Sequence, residues 1–238
     1  MRVSVLRQLH LGSAPYWETF EYHGSADNSV AGVLDYINYH DDIVNAAGVG
    51  TTRIGWECSC LQGICGACAM VINGKPALAC ETFVRDLDGK DIEIRPLRKF
   101  PVIHDLVVDR TSIHENLKQA NVCIGEYRSS ADADHAHQYA AAKCLKCGLC
   151  LELCPNYVNG HTFFGAAFAN DCYLVASRNQ AEGRRDPGCL CGTLRKDLLQ
   201  VAVLHGGLPH EDIDTGFHGK IESNGYIVLA LFLYKRGT

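Results

Sequence analysis

Four cysteines stand close together in the second half of the chain, at Cys144, Cys147, Cys150 and Cys154, and Pro155 follows the last of them. Because a winding backbone turns once in roughly three to four residues, spacings of two, two and three let three thiolates face one iron–sulfur cluster. The extra residue before Cys154 turns its side chain away, and in ferredoxins with two clusters this last cysteine binds the neighbouring cluster. The run therefore predicts ligands for two clusters. A zinc site is the alternative, but zinc sites usually join two separated pairs of Cys or His ligands.

A second set of four cysteines lies earlier in the chain and has a different spacing. Its members are Cys60, Cys65, Cys68 and Cys80. The pattern C-x4-C-x2-C, followed after eleven residues by the fourth cysteine, is that of a plant-type [2Fe–2S] site. Asn73 and Gly74, between the third and fourth cysteines, predict a tight hairpin turn that returns Cys80 to the other three.

Apolar residues at regular spacing predict the strands that must hold this first site. Val3, Val5 and Leu9 fall on one face of a strand over residues 1–10, and residues 17–22 suit its hairpin partner. A sheet is therefore expected to begin at the N-terminus.

Helices are predicted to follow, the first of them beginning at Ser29. Its buried face is formed by Val30, Val33, Leu34 and Ile37. Residues 91–95 alternate as another strand, whereas residues 105–142 and 163–175 suit helices.

These elements predict an α+β fold with two domains. A β-grasp plant-type ferredoxin domain is expected over residues 1–104, and an all-α, bacterial-ferredoxin-like domain carrying the other clusters over residues 105–238. Pro96 and Pro101 mark the boundary between them.

Composition excludes several classes of function. The formal net charge of −5 argues against a protein that binds nucleic acid. The N-terminus lacks the apolar run of a signal peptide, which predicts that the protein stays in the cytoplasm. In that reducing compartment clustered cysteines serve as metal ligands.

Of the thirteen cysteines, Cys58 and Cys123 fit neither cluster pattern, and we interpret them as thiols outside the clusters. The nine apolar residues 226–234 are too few for a membrane helix, which needs about twenty.

Three segments besides the cysteine motifs carry a resemblance to a known family. They are residues 63–74, 101–109 and 164–167. With both motifs on one chain, residues 1–187 resemble the iron–sulfur subunit of succinate dehydrogenase and fumarate reductase.

The resemblance implies a ligand set for three clusters. Cys60, Cys65, Cys68 and Cys80 would bind a [2Fe–2S] cluster. Cys144, Cys147 and Cys150 would bind a [4Fe–4S] cluster, and Cys154 a [3Fe–4S] cluster.

The resemblance also implies that the chain relays electrons between two partners on the cytoplasmic side of the inner membrane. One is a flavoprotein subunit that interconverts succinate and fumarate at FAD, and the other is a membrane quinone-binding subunit, of which a cytochrome b with haem is one form. No catalytic residues are expected in this chain, because no Ser/His/Asp or paired-carboxylate pattern indicates a substrate site. Residues 156–160 lack the tryptophan of ubiquinone-linked members, which favours menaquinone. The alternative is a ferredoxin-like adaptor of another oxidoreductase, such as a heterodisulfide-type complex.

The chain departs from the family pattern after residue 187. Members of the family have a third motif, C-x5-C-x3-C-P, where this chain has only Cys189 and Cys191 before Gly207-Leu208-Pro209. With Cys172 these two make up the required number of ligands, but the spacing differs. An altered ligand set, a degraded cluster and a reading-frame error over residues 188–206 each account for this. We favour the last, and expect three clusters with Cys189 and Cys191 as candidate ligands, Cys189 first.

Overall fold

The computed structural model describes residues 1–39, 42–87, 89, 91–119, 122, 135–160 and 163–178, with side chains as far as 175. It contains both strands and helices, which confirms the mixed fold class. The chain divides into two compact units. The first comprises Met1–Thr111 and Leu145–Pro155, and the second takes its described residues from Ser112–Cys144 and Asn156–Thr238. The predicted domain limits remain predictions, because most of the range 105–238 lies outside the described residues.

The first unit is built on a five-stranded sheet in the order β2-β1-β5-β3-β4. Its strands are β1 (Arg2–Arg7), β2 (Tyr16–Glu21), β3 (Ala69–Ile72), β4 (Lys75–Leu78) and β5 (Ile92–Arg95). Strands β1 and β5 run parallel, and the other neighbouring pairs run antiparallel. A separate antiparallel pair is formed by β6 (Val102–His104) and β7 (Val107–Val108).

Five α-helices lie in the described ranges, together with two short 3-10 helices at Ala79–Glu81 and Val84–Leu87. They are α1 (Val30–Tyr39), α2 (Thr111–Gln119), α3 (His135–Ala142), α4 (Leu149–Leu153) and α5 (Gly165–Arg178). None of the helices in these ranges has the length and apolarity needed to cross a membrane.

Helix α1 follows the predicted pattern closely. Val30, Val33 and Leu34 are fully buried, and the Ser29 hydroxyl accepts the N–H of Gly32, which caps the first turn. Such a cap satisfies a donor that the helix itself leaves unpaired.

The far end of α1 is tied to the chain that leads into the first cysteine loop. The Asn38 side chain exchanges two hydrogen bonds with the backbone of Ile54, at 2.8 and 3.0 Å. Because both residues are buried, this pairing fixes the path toward Cys60.

The second unit has an apolar cluster of its own. Phe164 and Phe168 meet edge to face, with ring centroids 4.9 Å apart, and Cys172 is buried beside them. The Asn170 amide donates to the Ala141 carbonyl at 3.0 Å, which joins α5 to α3.

Most of the elements predicted for the described residues are confirmed, with two corrections. Leu9 lies beyond the end of β1 and is half exposed rather than buried with Val3 and Val5. The helices expected from residue 105 begin only at Thr111, because Asp105 adopts a left-handed turn (φ +47°) between β6 and β7. The predictions for residues 188–209 and 226–234 lie outside the described residues.

A buried arginine links the parts of the first unit. Arg7 donates to Glu18 at 2.7 Å, and its Nε lies 2.9 Å from an Asp105 oxygen as an ion pair without hydrogen-bond geometry. The Asp105 carboxylate also accepts the N–H groups of Gln8 and Gly55, at 3.0 and 2.8 Å. Together these contacts hold two strands and the turn at residue 105 around the segment that precedes the first cysteine loop.

We predict that Asp105→Asn lowers the free energy of unfolding of the first unit by about 3 kcal/mol, because it leaves a buried arginine with one anionic partner instead of two. Urea unfolding of the full chain, followed by tryptophan fluorescence, measures this directly, since Trp17 and Trp56 both lie in the first unit. The matched control is Asp91→Asn, which breaks an exposed ion pair with Arg2 and should change little. Equal effects of the two substitutions would contradict the prediction.

Candidate iron–sulfur centre

The β3–β4 hairpin brings the fourth cysteine of the first set back to the others, as predicted. Asn73 and Gly74 form its turn with φ angles of +46° and +79°. After β4, the N–H of Ala79 donates to the Cys68 carbonyl at 3.0 Å, and the Sγ atoms of Cys68 and Cys80 then lie 3.3 Å apart. Two cysteines twelve residues apart in sequence thus form one pair.

The other two cysteines form a second pair, in which backbone amides surround the sulfur of Cys60. The N–H groups of Gln62, Ile64 and Cys65 donate to the Cys60 Sγ at 3.4, 3.3 and 3.3 Å. The thiol of Cys65 makes a hydrogen bond to the same sulfur. Donors of this kind stabilise anionic sulfur, which is the form in which cysteine binds iron.

A further amide connects the two pairs. The N–H of Gly63 donates to the Cys80 Sγ at 3.3 Å, across the loop. Gly63 has a φ of +67°, a left-handed conformation that residues with a side chain rarely adopt, so this approach of its amide favours glycine. Two pairs of thiols that share a cradle of N–H donors suit a cluster with two irons and four cysteine ligands.

The two ends of this cradle differ in their electrostatics. The amide N–H groups of Gln62 and Ile64 lower the pKa of the Cys60 thiol to about 7, since they stabilise its thiolate. Burial and, to a lesser extent, the hydrogen bond with Cys68 raise the pKa of Cys80 to about 11. The protein therefore favours negative charge at the outer end of the site more than at the inner end.

Most of the second cysteine loop packs within the first unit, with Cys147, Cys150 and Cys154 in the segment Leu145–Pro155. Gly148 begins α4 with a φ of +87°, and a Cβ there would lie 2.9 Å from the Phe100 ring. Only glycine therefore lets this turn approach Phe100 without strain.

A buried carboxylate holds the same loop. Glu152, on α4 between Cys150 and Cys154, accepts the Arg98 side chain at 2.8 Å and the N–H of Lys99 at 3.0 Å. The Lys99 ammonium also donates to the Cys154 carbonyl. Hydrogen bonds to charged groups are among the stronger ones in proteins, so these contacts attach the loop firmly to residues 98–99.

The two cysteine loops touch each other inside the first unit. Gly66, between Cys65 and Cys68, has a φ of +76°, and a Cβ added there would lie 2.6 Å from the Cys147 Cβ and 3.1 Å from the Leu145 Cβ. No other side chain fits between the loops. The geometry thus brings a ligand loop of the [2Fe–2S] type into van der Waals contact with the second set of cysteines.

The remaining cysteines are placed as follows. Cys144 belongs to the second unit, where its N–H donates to the Ala141 carbonyl at the end of α3. Cys58 is exposed, and Cys172 is buried in the apolar cluster of the second unit. Cys189, Cys191 and Cys123 lie outside the described residues.

Sequence reasoning did not find the residues that hold the second loop, namely Arg98, Lys99, Arg110 and Glu152. Only Glu152 left a signal, as a single acidic residue in the otherwise apolar stretch between Cys150 and Cys154. Charged residues are rarely buried without a partner, so it could have been interpreted as one half of an ion pair. Nothing in the sequence pointed to its partners, the Arg98 side chain and the Lys99 backbone N–H, some fifty residues earlier.

Comparison with known proteins agrees with this geometry. A family model described as a 2Fe-2S iron-sulfur cluster binding domain matches residues 2–115. The fumarate reductase iron-sulfur subunit of Mycobacterium tuberculosis is 36% identical over 200 residues, which cover 78% of this chain and 76% of that one. A chain of the Mycobacterium smegmatis Sdh1 complex in the apo form has a similar fold, with a TM-score of 0.61 and 22% identity over 99% of this chain and 95% of that chain.

The succinate dehydrogenase iron-sulfur subunit of Bacillus subtilis is 35% identical over 175 residues, covering 70% of this chain and 68% of that one. Both this relative and the mycobacterial one are similar over most of their length, and both bear the name of the same kind of subunit. The chain therefore belongs to the family of iron–sulfur subunits of succinate dehydrogenase and fumarate reductase, and it is an electron-transfer member of an oxidoreductase complex.

Proposed function

We propose that this chain relays electrons through three iron–sulfur clusters between a flavoprotein subunit with FAD and a quinone-binding membrane subunit. The observation that carries the proposal is the contact between the two cysteine loops at Gly66 and Cys147, because electron tunnelling falls steeply with distance. Family membership supports this function over the heterodisulfide-type adaptor, which would use the same cluster motif with other partners.

In this proposal the first cysteine set binds one cluster, and the second set contributes ligands to two. The [2Fe–2S] ligands are Cys60, Cys65, Cys68 and Cys80. The [4Fe–4S] cluster is bound by Cys144, Cys147 and Cys150, and the [3Fe–4S] cluster by Cys154, with Cys189 and Cys191 as candidates for the missing ligands. The clusters supply one-electron redox chemistry, and the protein supplies thiolates, N–H donors and fixed spacing.

The finer architecture and location also belong to the proposal. The sheet order together with helix α1 supports a β-grasp domain of the plant-type ferredoxin kind, and helices α2, α3 and α5 support a bacterial-ferredoxin-like helical domain after it. The numerous cysteine thiols support a position on the cytoplasmic side of the inner membrane, where thiols stay reduced. The absence of a tryptophan from residues 156–160 supports menaquinone rather than ubiquinone. Family membership supports a quinone-binding membrane partner, of which a cytochrome b is one form.

We predict that Cys65→Ala abolishes the [2Fe–2S] signal in electron paramagnetic resonance and leaves the signals of the other clusters, because each set of thiolates binds its own iron. The matched control is Cys58→Ala, which removes an exposed thiol seven residues away and should leave every signal in place. Loss of all signals in Cys65→Ala would indicate a single interdependent site and contradict the assignment.

We further predict that the purified chain alone oxidises no succinate and reduces no fumarate, and that activity requires the flavoprotein. In the assembled complex, menaquinone analogues should react at least as fast as ubiquinone analogues. A complex with Cys65→Ala should still reduce a soluble dye at the flavoprotein while losing the quinone reaction. Turnover by the single chain would contradict the relay role, whereas much faster reaction with ubiquinone would contradict only the quinone assignment.

A further inference from the structure

One arginine side chain forms hydrogen bonds to both cysteine loops. Arg110, the residue directly before α2, is only 17% exposed. Its Nε donates to the Cys147 carbonyl at 3.2 Å, and its Nη2 donates to the carbonyls of Ala67 and Ala69 at 3.2 and 3.4 Å. Its remaining nitrogen, Nη1, donates to the Glu57 carboxylate at 2.7 Å. All three nitrogens of the guanidinium are therefore engaged.

The accepting carbonyls are those of proposed ligands or of their neighbours. Ala67 and Ala69 flank Cys68 in the first loop, and Cys147 is a proposed ligand in the second. A guanidinium is planar, always charged, and presents its donors in a rigid fork. Arg110 thus holds the backbone on both sides of Cys68 and at Cys147 through its single rigid guanidinium group.

The other contacts described for the second loop do not perform the same task. Glu152 attaches that loop to Arg98 and Lys99, which precede β6 and are not part of the first cysteine loop. At Gly66 the two loops are in close packing contact. Hydrogen bonds to a charged donor add direction to this contact, which packing around a glycine does not supply.

We propose that Arg110 is a positioning residue for electron transfer between the first two clusters, holding the [2Fe–2S] loop and the second cysteine loop in fixed register. This rests on the proposed function, since it requires both loops to bind clusters. In the transfer one electron leaves one cluster and arrives at the other, while Arg110 exchanges neither electron nor proton. Its ion pair with Glu57 keeps the local charge balanced.

The test compares Arg110→Met, Arg110→Lys and Arg85→Met in the full chain assembled with its flavoprotein and membrane partners. Arg110→Met removes the charge and the fork, whereas Arg110→Lys keeps the charge on a flexible stem. Arg85→Met is the matched control, because Arg85 forms an exposed ion pair with Asp27. Electron paramagnetic resonance gives the content of each cluster. It also gives the relaxation rate of the reduced [2Fe–2S] signal, measured once with the second cluster oxidised and once with it reduced.

We expect Arg110→Met to retain both clusters but to lose much of the relaxation enhancement that the reduced second cluster causes. Amide hydrogen exchange in residues 145–155 should become about tenfold faster, as the loss of one hydrogen bond to a charged group would cause. Arg110→Lys should show a smaller change in the same direction, and Arg85→Met should match the wild type.

Wild-type relaxation enhancement and exchange in Arg110→Met would overturn the proposal. If Arg110→Met does not retain its clusters, Arg110→Lys decides: reduced enhancement supports the proposal, and wild-type enhancement overturns it. A wild-type complex without a signal from the second cluster would instead contradict the proposed function, and this inference with it.

Discussion

The buried ion pairs of Arg7 are the interaction on which the first unit depends. A buried guanidinium is tolerated only when its charge is compensated, and here Glu18 on β2 and Asp105 in the β6–β7 turn supply that compensation. Asp105 also binds the N–H of Gly55, so the same network fixes the segment that leads into the first cysteine loop. The position of the first set of thiols is therefore set by a polar network outside the cluster site itself.

The second cysteine loop is held by the same principle of compensated charge. Its carboxylate Glu152 meets Arg98, and its carbonyls at Cys147 and Cys154 accept from Arg110 and Lys99. These cations come from before residue 112, which explains why the loop packs in the first unit although residues 112–144 belong to the second. The arrangement places the first cysteine loop beside the segment with Cys147, Cys150 and Cys154 on one scaffold, as an electron relay requires.

Local signals in the sequence sufficed to predict the two groups of cysteines, the β1–β2 hairpin, helix α1 and the Asn73-Gly74 turn. Each of these depends on residues within one turn or one strand. The start of α2 could not be predicted, since the turn at Asp105 is stabilised by contacts with Gln8 and Gly55, far away in the sequence. The hydrogen bonds from Arg110 to both cysteine loops could not be predicted for the same reason. An arginine shows no periodicity, and its acceptors are backbone carbonyls, which every residue has.

The most direct test of the account is the iron content of the purified full chain, measured with peptide mass spectrometry of residues 188–206. A relay of a [2Fe–2S], a [4Fe–4S] and a [3Fe–4S] cluster predicts about nine iron atoms per chain. Mass spectrometry should at the same time reveal a third cysteine motif in that stretch. About two or about six iron atoms per chain, with the peptide as it is written in the sequence, would contradict the three-cluster relay.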